Sequence, residues 1–178
     1  MSLPHALLTA LVERPSTGAE LARRFDRSIG YFWQATHQQI YRELGRLEEA
    51  GWVLSTPEEG GKGRQRRYQV LPAGREELRR WTADLDEPAG LRDGLMVRLR
   101  AEAALGPCGL EAALRRRLDA YRERLALYRS LEERDFARGT DTRERKLQHL
   151  VLRAGIDGMT LRIATAEQAL ALLALPGP

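Results

Sequence analysis

Hydrophobic and polar positions in the first half of the chain repeat with helical spacing three times, then change to strand spacing. Leu3, Leu7, Leu8, Leu11 and Val12 recur about one helical turn apart. Ser2 is placed to cap this helix, and Pro4 falls in the first turn, where a missing N–H is tolerated. Pro15 ends it. Thr17 and Glu20 stand at capping-box spacing ahead of Leu21, Ala22 and Phe25, which predicts a second helix to about Arg27. After a loop over residues 28–31, a long helix is expected from about residue 32 to residue 50. Turned 100° per residue from Ile40, it puts Ile40, Leu44 and Leu47 on one side. Gln38, Arg42, Gly45 and Arg46 fall on the other, with Gln34 and Tyr41 at its edge. Gly51 stops the helix. Residues 52–56 and 67–71 have strand composition, and the intervening PEEGGKGRQR reads as a flexible hairpin tip.

The second half is patterned differently. Pro88-Ala89-Gly90 is a break, which places a boundary near residues 84–90. Leu91, Leu95, Leu99 and Ala103 mark one helix face, ended by Gly106-Pro107. From Leu110 to about Arg138 there is no glycine or proline, and Leu114, Leu118, Tyr121, Leu125 and Tyr128 alternate spacings of four and three. A last helix is expected to start near Asp141, with Glu144 at capping-box distance. Leu152, Ile156, Met159, Ile163, Ala166, Leu170 and Leu173 carry the same alternation over three heptads, the pattern of a coiled-coil seam. Leu147, Leu150, Val151, Ala154 and Leu161 widen the apolar surface beyond what three helices can cover. A homodimer formed by residues 91–175 is the expectation, with Leu152, Ile156, Met159, Ile163, Leu170 and Leu173 at its seam. Gly155 and Gly158 lie inside this helix, either to allow close contact or merely tolerated.

Composition narrows the class. The chain has 178 residues, 30% charged and 43% apolar, as in a globular protein. No apolar stretch approaches the ~20 residues of a membrane helix. The first residues lack the basic lead and cleavage site of an export signal, and Cys108 stands alone, so a cytoplasmic location is expected. Of 29 basic residues 27 are arginine, a bias that a GC-rich genome explains. Residues 1–83 hold 13 basic and 10 acidic groups, residues 84–178 hold 16 and 15, so the first half is mildly cationic and the second nearly balanced. Catalytic chemistry finds little support. His5, His37 and His149 fall in three different helices, no His/Cys set has zinc spacing, and GGKG is too short for a phosphate-binding loop. Cys108, between Pro107 and Gly109, has no neighbouring cation to activate it. No enzyme, metal or cofactor is expected.

What remains is recognition. Two helices joined by a short turn, the second with a polar face, make a helix-turn-helix. Amides and guanidinium groups on that face suit base edges and phosphates. Lys62, Arg64, Arg66 and Arg67 would reach phosphates from the hairpin, where Gly60, Gly61 and Gly63 let the backbone approach a duplex. The expected fold is mainly α: an N-terminal winged helix-turn-helix over residues 1–85, followed by a long-helix dimerisation domain. The candidate DNA-facing set is Gln34, His37, Gln38, Gln39, Tyr41, Arg42, Arg46, Lys62, Arg64, Arg66 and Arg67. Double-stranded DNA is the expected partner. The competing reading is a winged helix that binds a partner protein instead.

These residues resemble the PadR family of bacterial transcription regulators. The family pattern I-Y-x-x-L-x-x-L-E-x-x-G stands here from Ile40 and Tyr41 through Leu44, Leu47 and Glu48 to Gly51, with Tyr68 and Gly74 following. MSLPH, SIGYFW and HQQ-x-YREL are similar to the AphA-like virulence-activator branch. The likeness is strong over residues 1–82 and one of layout beyond. It implies a dimer on an operator of two inverted half-sites, with Gln38, Gln39, Tyr41 and Arg42 on the recognition helix and residues 62–67 as the wing. It also brings in a small aromatic effector, for which Trp81, Tyr121 and Tyr128 are candidates, against core packing for each. Two positions depart from the family: Arg42 replaces a proline, and Leu71 replaces a threonine cap worth ~1 kcal/mol, which Pro72 partly offsets.

Overall fold

The computed structural model describes residues 3–27, 35–58, 65–84, 93–137 and 139–175. Its elements are α1 (Leu3–Glu13), β1 (Ser16–Thr17), α2 (Gly18–Arg27), α3 (His37–Glu49), β2 (Val53–Pro57), β3 (Arg66–Val70), α4 (Pro72–Ala83), α5 (Gly94–Leu105), α6 (Leu110–Phe136) and α7 (Arg143–Leu173). They form two compact units, residues 1–88 and 89–178. Ser2, the loop at 28–31, Gln34, Lys62, Arg64, the break at 88–90 and Leu91 lie outside the described residues.

The first unit is a winged helix built around the predicted apolar stripes. Leu7, Leu8 and Leu11 of α1, Leu21, Ala22 and Phe25 of α2, Ile40, Leu44 and Leu47 of α3 and Val53 share one core. Burying each such large side chain contributes roughly 1.5–3 kcal/mol. The capping box of α2 is present: Glu20 N–H donates to Thr17 Oγ1 at 3.2 Å, and Thr17 N–H to Glu20 Oε2 at 2.9 Å. That backbone N–H bond, with help from Arg67, lowers the Glu20 carboxyl below its ordinary range despite partial burial.

Helix α3 begins at His37, five residues later than its composition suggests. Thr36 and Gln39 close a second capping box, with Gln39 N–H donating to Thr36 Oγ1 and Thr36 N–H to Gln39 Oε1 at 2.8 Å. At the far end Gly51 takes φ +70, and Trp52 N–H returns to Leu47 O. The sheet is antiparallel in the order β1-β3-β2, with Tyr68 of the central strand opposite Ser16 on one side and Ser55 on the other. Two-residue β1 is too short to leave a sequence pattern. Leu71 makes no side-chain cap on α4, and Pro72 follows at the first turn, as expected.

In the second unit α6 and α7 run antiparallel. Arg122 pairs with Glu167, His149 with Glu132, and Arg145 reaches the carbonyl of Asp135, so partners on one helix descend as those on the other rise. The heptad seam of α7 faces this partner. Leu152, Ile156, Ala166 and Leu170 are buried within the single chain, and Met159, Ile163 and Leu173 are half-buried. The seam expected to meet a second copy is therefore covered by the chain's own helices. Alternating spacings of four and three arise wherever two helices cross at a small angle, within a chain or between chains. Gly155 serves that packing, because a Cβ there would stand 3.2 Å from the ring of buried Tyr128, whereas Gly158 faces open space. Helix α7 also starts later than expected: Thr142 caps it, accepting from Arg145 N–H at 3.2 Å. Leu147, Leu150, Val151, Leu161 and Leu172 point outward. Among the described residues no helix is long and apolar enough to cross a membrane.

Candidate nucleic-acid interface

Helix α3 is anchored through Ile40, Leu44 and Leu47, so its opposite face is turned out of the core. His37, Gln38, Gln39, Tyr41, Arg42 and Arg46 are all exposed. Their availability differs. Gln38 and Arg42 make no hydrogen bond or ion pair among the described residues. Gln39 has its carbonyl oxygen committed to the Thr36 cap, which limits it as a reader of base edges. Arg46 pairs with Glu43 at 3.2 Å on the helix surface, a pair worth little in water.

The two wing arginines within the described residues are held by their own chain. Arg66 donates from Nη2 to Ser55 O at 2.9 Å and from Nε to Ser55 Oγ, while Ser55 in turn donates to Glu48. Arg67 forks onto Glu58 with two bonds of 2.7 Å, and its Nη1 reaches Pro15 O at 3.0 Å. The Arg67 guanidinium bound to Glu58 holds that carboxyl below its ordinary range. Arg67 is therefore a strut joining the wing to β1. Arg66 is oriented from behind and remains half-exposed at the lip of the sheet.

A feature the sequence reading missed lies between these elements. Thr17, Gly18, Gln65, Arg66, Tyr68 and Tyr41 line a cleft of about 300 Å³. Burial, then the charge of Glu48, pushes the Tyr68 phenol up, so it stays protonated near neutrality. The only sequence signal for this cleft was the pair of tyrosines, one on the polar helix edge and one in the wing strand.

The effector candidates each have a local neighbour. Trp81 stacks on His5 with ring centroids 4.6 Å apart. Tyr121 accepts a bond from Arg117 Nε at 2.7 Å, and Tyr128 is buried against Gly155. Among the described residues no three His, Cys, Asp or Glu side chains stand together as a metal site.

Comparison with known proteins places this geometry. Residues 7–80 match the family described as "Transcriptional regulator PadR-like family", and residues 91–174 match "Virulence activator alpha C-term". The "Probable transcriptional regulator Rv1176c" of Mycobacterium tuberculosis is 42% identical over 168 residues, covering 88% of this chain and 89% of that protein. The virulence activator AphA of Vibrio cholerae has a solved structure 31% identical to this chain, covering 97% of this chain and 98% of that one, with TM-score 0.80. Bacillus subtilis PadR, solved in complex with operator DNA, shares the fold at 21% identity and TM-score 0.78, over 96% of this chain and 98% of its own. The two solved structures share this chain's fold over nearly its whole length. The chain belongs to the PadR-like family of transcriptional regulators, near the branch that contains AphA.

Proposed function

We propose that this regulator binds duplex DNA as a homodimer, each copy placing α3 on one of two inverted half-sites. The observation that carries this is the outer face of α3, where Gln38 and Arg42 stand exposed and without partners among the described residues, beside a basic hairpin. Glutamine suits adenine and arginine suits guanine by bidentate pairing. Tyr41 and the wing residues hold the backbone. The B. subtilis PadR complex with operator DNA supports the reading as a relative of the same fold. Gln34, Lys62 and Arg64 belong to the same proposal from sequence alone.

The dimer surface we assign is not the buried seam but the stripe beside it. Leu147, Val151, Ala154, Leu161 and Leu172 fall on one side of α7 and are exposed in the single chain. Their spacings of four, three, seven and eleven are each built from steps of three and four, which keeps them on one stripe that a second copy would cover.

The test is duplex binding across salt concentrations. Several phosphate contacts make affinity fall by orders of magnitude between ~50 and ~200 mM salt. Affinity that is absent, or indifferent to salt, supports a protein partner instead. An aromatic effector enters by kinship only, since B. subtilis PadR has also been solved with p-coumaric acid. Tryptophan quenching against a panel of phenolic acids is its test.

A further inference from the structure

The cleft between α2, α3 and β3 is shaped by a missing side chain. A Cβ built on Gly18 would stand 2.5 Å from Tyr41 Cε1, 3.2 Å from Cδ1 and 3.3 Å from Cζ. The ring of Tyr41 thus lies directly over the Gly18 α-carbon. With any other residue at position 18 the ring must swing away, because real carbon contacts are about 3.5–4.0 Å. Glycine at this place costs backbone entropy, on the order of 0.5–1 kcal/mol relative to alanine.

Where the glycine leaves it, Tyr41 borders the same cleft as Tyr68, Gln65 and Arg66. Tyr41 is 48% exposed, and its hydroxyl makes no hydrogen bond among the described residues. Arg66 is fixed by Ser55 in an orientation that does not depend on a ligand. Glu48, an acidic group nearby, accepts from both the N–H and the hydroxyl of Ser55 and lies 3.7 Å from Arg66, so part of its charge is offset there although it is still felt at Tyr68. Two phenol hydroxyls, an amide and a guanidinium around one concavity are donors for a tetrahedral anion. The cleft lies between the recognition helix and the wing strand, where a duplex read by α3 would run its backbone.

We propose that Gly18 is a positioning residue for DNA binding: by leaving its α-carbon bare it seats Tyr41 so that Tyr41, Tyr68 and Arg66 together hold one backbone phosphate. This rests on the DNA-binding reading above. Gly18 itself touches no phosphate and acts only through the tyrosine.

The experiment is a double-mutant cycle on the full chain, using a duplex recovered by selection with the wild-type protein. Gly18→Ala, Tyr41→Phe, Tyr41→Ala and Gly18→Ala/Tyr41→Ala are titrated against it over a salt series, with a thermal melt of each variant as the folding control. Gly18→Ala and Tyr41→Phe are each expected to weaken binding roughly tenfold per half-site, the scale of one hydrogen bond to a charged group. The slope of log affinity against log salt should stay near the wild-type value, because a phenol hydroxyl releases no counterion and Arg66 is still in place. Adding Gly18→Ala to Tyr41→Ala should cost nothing more. Unchanged affinity for a folded Gly18→Ala, or a Gly18 effect that persists without Tyr41, overturns the inference. Tyr41→Phe cannot clash, so unchanged binding in that variant overturns it even if Gly18→Ala does not fold. A wild-type protein that binds no duplex removes the DNA reading and this inference together.

Discussion

His5 Nε2 lies 3.0 Å from Glu77 Oε1, joining α1 to α4 across 72 residues of sequence. Glu77 also receives Arg80 at 2.7 Å, and His5 is stacked on Trp81. The Arg80 bond first, and the His5 bond second, hold the Glu77 carboxyl at about 2, against an ordinary 4.5. The folded pKa is depressed, so this stabilisation is complete above pH 4.5 and is lost as pH falls through about 2. Other paired carboxylates titrate in the same window. The expected result is therefore a difference: wild type should exceed Glu77→Gln in melting temperature at pH 6, with the gap closing progressively below pH 4.5. A gap that does not change with pH would show that Glu77 acts by shape alone.

Gly74 opens α4 against the strand before it. A Cβ there would stand 2.3 Å from Trp52 O and 3.0 Å from both Trp52 C and Val70 Cγ1. Trp52 O also accepts the Leu71 N–H at 2.9 Å, so the obstructing atom is pinned backbone. Gly74→Ala is expected to destabilise the protein by ~1–3 kcal/mol, although alanine favours helix. Urea denaturation measures this, and a neutral or stabilising result would show that α4 can slide.

Arg42 and Arg67 are both basic groups on the candidate interface, and opposite outcomes are expected for them. Arg42→Ala should leave the melt unchanged and narrow the gap between selected and scrambled duplexes by ~1–3 kcal/mol. Arg67→Ala removes the strut to Glu58 and Pro15. It should lower the melting temperature while leaving sequence preference intact. Competition binding beside thermal melts separates the two roles, and a reversed pattern would exchange them.

Leu152 and Leu161 test the proposed dimer surface on α7. Leu152 is 7% exposed and Leu161 69%. Leu152→Glu places a charge in the α6–α7 packing and should unfold the helical unit, at several kcal/mol. Leu161→Glu should leave helicity unchanged and yield monomers by light scattering. A folded dimer carrying Leu161→Glu would show that the exposed stripe is not the interface.

Much of the winged helix was legible because its apolar stripes are periodic and its signals local. Leu7, Leu11, Leu21, Ile40 and Leu44 fall in the core that helical spacing assigns them, and the Thr17–Glu20 box and Pro72 act where their residue types predict. The start of α3 was misplaced because Phe32 and Trp33 read as helix, while the decisive signal was the less familiar threonine–glutamine box at Thr36 and Gln39.

Helical periodicity by itself determined that α7 has an apolar seam and α3 a polar face, since both follow from one turn angle per residue. Only the tertiary structure decided what each face meets. Leu152 and Ile156 turned out to pack within the chain, because the spacing that fits a second copy fits α6 equally well. Arg66 and Arg67 turned out to be held by Ser55, Glu58 and Pro15, partners brought near by strand pairing and the close approach of β1. Gly18 and Tyr41 are separated by 22 intervening residues, and no local pattern joins them. Their contact exists because the shared core brings α2 and α3 together until the ring covers the bare α-carbon.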